Sequence, residues 1–310
     1  MSEINSWEDL RRKVIDEEFS DVPMQSRNTS EFEINVNARV WENIRTELLS
    51  KLRGGGIQFA IKHHDIHRDT GYYAYDEKGS DGKGIYTIDM PDGLEFSNFE
   101  NPFDERDLFA RVYSLFHEYK HILQREGSIY NIQITPENMA FGRAGLIAQY
   151  FTEYDEANYA NDPREIDAQI YGIEQAIKYI KENYPWVDIE KACVGFVKDF
   201  INGQKENGFP ELSFTEETSG SIQEILNDLR KRMENPRRAK FSEIVLHDWY
   251  DEDEPEKKLR NKFNDDFIKK YEDCKSVEEK DEMLITAILE IYPEAIQEYP
   301  ILQMRSVFVK

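Results

Sequence analysis

The chain has 310 residues, 62 of them Asp or Glu and 39 Lys or Arg, for a net charge of −23. Such an acidic chain is a poor match for a nucleic-acid backbone, which attracts Lys and Arg, and it favours a basic protein or peptide as partner. The length is enough for one large or two ordinary domains, and a hydrophobic fraction of 39% with 13% aromatics is that of a folded soluble protein.

The stretch from Met1 to Asp9 has neither a basic start nor an apolar core, so no secretory signal is read and a cytoplasmic location is expected. A short amphipathic helix is predicted over 7–19, then a polar loop to about Ser30. Val40, Trp41, Ile44, Leu48, Leu49 and Leu52 recur at helical spacing and predict a helix over 37–52, stopped by Gly54-Gly55-Gly56. The period then changes. Ile57 to Ile61 alternates, Tyr72 to Tyr75 is rich in strand formers, and Ile85 to Ile88 follows a glycine turn at Gly79–Gly84. These predict three short strands in a mixed sheet, ended by Pro91 and Gly93.

A helix is predicted over 101–127, with Asn101 as N-cap, Pro102 as first helical residue, Asp104 near the capping-box acid position and Gly127 as the stop. Leu108, Phe109, Val112, Leu115, Phe116, Tyr119, Ile122 and Leu123 fall on one broad apolar face. The other side carries His117 and His121, beside Ala110, Tyr113, Ser114 and Gln124, and is expected to look onto a cleft. These histidines belong to Phe116-His117-Glu118-Tyr119-Lys120-His121, an H-E-x-x-H pattern. Positions i and i+4 lie one above the other on a helix. Two imidazole nitrogens can therefore meet one zinc ion, with Glu118 one step round as a base toward water. The plain alternative is an exposed helix with two unrelated histidines. A di-iron bundle would need a second Glu-x-x-His, and Glu118/His121 is the one instance of that spacing in the sequence.

Further helices are predicted over 136–160, opened by Thr135-Pro136, from Asp162-Pro163 to about Tyr184, and from Ile189 to Ile201, with Pro185-Trp186 as a break. Asn202 to Ser221 is polar and glycine-containing and is taken as a linker. It divides a domain of residues 1–205 from an acidic helical domain of residues 222–310, with helices expected at 222–233, 257–271 and 277–291. The run Asp251 to Glu256 reads as solvated surface. Cys193 and Cys274 form no metal or disulfide framework and are expected to be reduced thiols. No apolar run is long enough to cross a bilayer.

A catalytic zinc needs a third protein ligand. Glu165 is the leading candidate, because it shares a helical stripe with Ala168, Gln169, Gly172 and Ala176, small enough for close approach to the histidine helix. Asp167 falls on the opposite side. Glu165 is also three residues after Asp162, a capping-box position, so a cap role stays open, as does replacement by Glu153, Asp155 or Glu156. His63, His64 and His67, in one strand-to-turn stretch, and His247 read as surface residues.

At this point the chain resembles the compact gluzincin metallopeptidases, nearest to the ImmA/IrrE-like proteins. The likeness rests on His117–His121 and on Glu165-Ile166-Asp167-Ala168 followed by Tyr171 and Gly172, and spans roughly 37–185. It departs in Lys120, which projects to the flank, in the long gap to Glu165, and in showing no helix-turn-helix segment. The resemblance implies an α+β fold: a mainly helical zincin-like domain with a small three-stranded mixed sheet, followed by a helical C-terminal region. It implies one Zn2+ per chain on His117, His121 and Glu165, Glu118 as catalytic base, and a protein or peptide substrate; the acidic charge and the lack of a long apolar run leave neither nucleic acid nor membrane as an expected partner. Tyr150, Tyr154 and Tyr159 are candidates for the oxyanion donor, with packing as their other role. The strand Ile85–Ile88, taken as an exposed edge, would pair with an extended substrate. Two rivals stand beside this reading: an acidic module that binds a protein or mimics a nucleic acid, and a zinc-stabilised structural domain.

Overall fold

The computed structural model describes residues 4–64, 73–78, 84–91, 104–130, 133–152, 161–206, 214–235, 238, 240–246 and 255–303. The fold is α+β, mainly helical with a small three-stranded mixed sheet. The chain divides into two compact units, each assembled from two segments: residues 1–122 with 171–197, and 123–170 with 198–310.

In the first unit, α1 (Trp7–Glu18) begins at Ser6, whose hydroxyl accepts from the Asp9 N–H. Helix α2 (Ser30–Arg53) starts seven residues before the expected residue 37. Its N-cap, Thr29, lies at the end of the expected loop and accepts from the Phe32 N–H, so residues 30–36, ahead of the expected start, form the helix's first turns. Val36, Val40, Trp41, Ile44, Leu48 and Leu52 form its buried stripe. The strands are β1 (Phe59–His64), β2 (Tyr73–Lys78) and β3 (Gly84–Pro91), in the order β1-β3-β2. Strand β3 pairs parallel with β1 (Ile61 opposite Ile88) and antiparallel with β2 (Tyr75 opposite Thr87). Ile85–Ile88 therefore lies in the central strand, with neighbours on both sides. Its main-chain groups are committed to the ladders, which overturns its expected role as a free edge.

Helix α3 (Glu105–Arg125) carries the His-Glu-x-x-His sequence. The expected cap at Asn101-Pro102 lies outside the described residues. Asp104 instead accepts from the N–H groups of Arg106 and Asp107 at the helix start. Gly127 does not stop the helix. The backbone widens into a π-helical turn over Glu126–Tyr130, where the Ser128 hydroxyl donates to the Gln124 carbonyl.

In the second unit, α4 (Pro136–Tyr150) opens at Thr135, which accepts from the Asn138 N–H. It gives way at Phe151 to a two-residue strand, β4 (Phe151–Thr152), paired with β5 (Val245–Leu246), and so ends well before the expected residue 160. Helices α5 (Pro163–Asn183) and α6 (Ile189–Glu206) follow, each with residues in both units. Helix α6 runs through the first residues of the expected linker, and Phe214, also within it, is buried against Phe200. Helix α7 (Ile222–Glu234) is capped by Ser221. The helix expected over 257–271 is two, α8 (Pro255–Lys262) and α9 (Asp265–Asp273), because Asn264 caps the second by accepting from the Phe267 N–H. Helix α10 (Val277–Ile291) has the expected ends.

Leu146, Ile147 and Tyr150 of α4, Tyr271 of α9, and Leu284, Ile285 and Ile288 of α10 form one core with Tyr299, Ile301 and Leu302 of the C-terminal turns. Among the described residues, no helix is long and apolar enough to cross a membrane.

Candidate metal centre

Helix α3 brings the motif together. Its expected apolar face is buried at Leu108, Phe109, Val112, Leu115, Phe116, Tyr119 and Ile122. The opposite side is covered too: Arg111, Tyr113, Glu118 and Gln124 are also buried, while His117 and His121 keep partial exposure. A helix packed on one side only is therefore not what forms. The stripe of small residues on α5 is the reason, because Gly172 lets Tyr113 come so close that an added Cβ would lie 2.9 Å from its Cδ2.

The Nε2 atoms of His117 and His121 are 3.2 Å apart, with the rings edge-on. Two zinc–nitrogen bonds of about 2.0–2.1 Å at a tetrahedral angle require a nitrogen separation of about 3.3 Å, so this pair matches one edge of a zinc tetrahedron. On its other side, His117 Nδ1 is 3.5 Å from the Tyr113 hydroxyl, whose ring packs against Phe109 and Phe196. A hydroxyl at Nδ1 is the kind of outer partner that leaves Nε2 to a metal.

Glu165 joins them: one ligand atom from each of His117, His121 and Glu165 lies within 4.8 Å of the others. Glu165 is only 7% exposed. A carboxylate held out of water beside two imidazoles is a costly arrangement that a cation offsets. Two imidazole nitrogens and one carboxylate oxygen also form the donor set of a three-ligand catalytic zinc, which leaves a fourth position open. The residues fit the ion.

Asp162, 1% exposed, caps α5 by accepting from the Arg164 N–H and binds the Arg164 guanidinium. Asp167 does not face away from α3 as the helical wheel implies. Its carboxylate accepts from Gln124 Nε2 at 2.8 Å, because a glutamine is long enough to reach across the first turn of α5.

Lys120 lies over the Tyr171 ring at 5.2 Å, on the flank of the motif. Tyr150, an oxyanion candidate, is buried in the core of the second unit and packs on Tyr292, which fits its packing role. His63 is exposed on β1. Tyr154, Tyr159, Glu153, Asp155, Glu156, His67 and His247 lie outside the described residues. Gln124, which the sequence places on the histidine side of α3 without a role, is the participant that sequence reasoning passes over.

Comparison of this chain with protein-family models, curated proteins and solved structures finds no match.

Proposed function

We propose that the chain is a zinc-dependent peptidase, similar to the compact gluzincins, that hydrolyses a peptide bond. The observation that carries this is the approach of Glu165, on α5, to His117 and His121, on the helix α3 that also holds Glu118. His117 and His121 would hold the metal through their imidazole nitrogens, and Glu165 would hold it through its carboxylate. Bound there, the ion would supply Lewis acidity, which lowers the pKa of water toward about 7 and polarises a scissile carbonyl. Glu118 takes the proton from the attacking water and delivers it to the leaving nitrogen, so that a C–O bond forms as the C–N bond breaks. The net charge of −23 favours basic peptide segments as substrates.

The test is Glu118→Gln, assayed for zinc content and for cleavage of a basic peptide library. Retained zinc with turnover reduced by about 10²- to 10⁴-fold supports the peptidase. Full turnover in the variant, or a wild-type chain that takes up no zinc, overturns it and leaves the acidic binding module as the better account.

A further inference from the structure

Gln124 lies three residues beyond His121 on α3 and is 5% exposed. Its amide nitrogen donates twice, to the Arg164 carbonyl at 2.7 Å and to the Asp167 carboxylate at 2.8 Å. These bonds fall on either side of Glu165, one on the peptide just before it and one two residues after. A backbone carbonyl in the first turn of a helix is normally spent within that helix. Here the Arg164 carbonyl also receives a donor from another helix, which sets both the height and the rotation of the first turn of α5 relative to α3. Both bonds are short, and the amide that makes them is withdrawn from water, where competition from solvent is weakest.

We infer that Gln124 is a positioning residue for Glu165. By holding the peptide before Glu165 and the carboxylate after it, Gln124 fixes the register in which the Glu165 carboxylate meets the histidine pair. The inference rests on the metal-site reading and goes beyond it, since Gln124 touches neither the metal nor the substrate. Arg164 and Asp162 complete the frame from the α5 side through their own ion pair. Both Gln124 bonds reach α5 from the helix that bears the histidines.

The experiment is a double-mutant cycle on zinc affinity, measured by calorimetric titration of the full chain as wild type, Gln124→Met, Glu165→Ala and the double variant. Gln124→Met keeps the length of the side chain and removes both donors. It is expected to weaken zinc binding by about 10-fold or more, the scale of lost outer-shell support. In the Glu165→Ala background, the same change is expected to have no further effect, because its route of action is gone. Asp167→Ala, which removes one of the two bonds, should lose less affinity in the same direction and show the same non-additivity, and it serves as the second variant if Gln124→Met does not fold. Unchanged affinity in Gln124→Met, or an equal loss in both backgrounds, overturns the inference and makes Gln124 a packing residue. A wild-type chain without zinc affinity removes the metal-site reading itself, and the first titration alone reveals it.

Discussion

The Nε2 atoms of His117 and His121 face each other across 3.2 Å, the spacing of two ligands on one small tetrahedral ion. An ion bound there favours the folded chain by mass action. Adding a chelator is therefore expected to lower the melting temperature of the wild type, and added zinc to restore it. His121→Ala and Glu165→Ala should show a much smaller shift between the zinc and chelator conditions. Calorimetric melts with and without zinc check this. A shift that survives in both variants would place the ion elsewhere.

Tyr113 supports the same pair from behind. Once both Nε2 atoms serve a metal, the proton of His117 sits on Nδ1, and the Tyr113 hydroxyl 3.5 Å away is positioned to accept it. Tyr113→Phe keeps the ring between Phe109 and Phe196 and removes the acceptor. Zinc affinity is expected to fall by about 10-fold while the metal-free melting temperature stays within about 1 °C. A fall in metal-free stability with intact affinity would assign Tyr113 to packing alone.

The motif helix is legible in the sequence because its apolar residues recur at helical spacing over about four turns, and because His117 and His121 are one turn apart on it. The sheet is legible as three strands, but its order is not: alternation marks a strand and says nothing of its neighbours, so β3 reads as an edge when it is the centre. Glu165 is found by its stripe of small residues, whereas Asp167 is misplaced, because a helical wheel ignores how far Gln124 reaches. The break at Asn264 is hidden for a related reason. Phe263, Phe267 and Tyr271 continue one helical spacing across it, and the cap that interrupts them is a single side chain.

In the second unit, Gly145 of α4 is pressed against Tyr299, and an added Cβ would lie 2.8 Å from its Cε1. Gly145→Ala has to push the Tyr299 ring out of a close-packed core, at a cost of about 1–3 kcal/mol. Gly203, inside α6, has open space where its Cβ would be. There the same substitution should stabilise by about 0.5–1 kcal/mol through helix propensity. Urea unfolding of the two variants is expected to move the midpoints in opposite directions; a common direction would contradict the packing of Tyr299 on α4.

Buried acids set the response to alkali. Burial pushes the Cys193 thiol from its ordinary 9.0 up to about 12, and the Tyr184 phenol from 10.0 up to about 12. Burial raises Tyr179, packed beside Tyr184, as well. In each case the folded chain holds the proton more tightly than the unfolded chain does. The stability this contributes is complete below pH 9, where both states are protonated. Above pH 9 the unfolded thiol ionises first, and above pH 10 the unfolded phenols follow. Each such group then removes about 1.4 kcal/mol per pH unit until its folded pKa is reached. The melting temperature should therefore hold between pH 7 and 9 and drop steeply between pH 9 and 12. Cys193→Ala is expected to lose most of the decline between pH 9 and 10, since the groups that burial raises most strongly are then the phenols of Tyr179 and Tyr184. The thiol chemistry should agree: at pH 8 a maleimide should modify the partly exposed Cys274 and spare Cys193 until denaturant is added. Modification of both thiols in the native chain at equal rates would show that Cys193 is not held in the core.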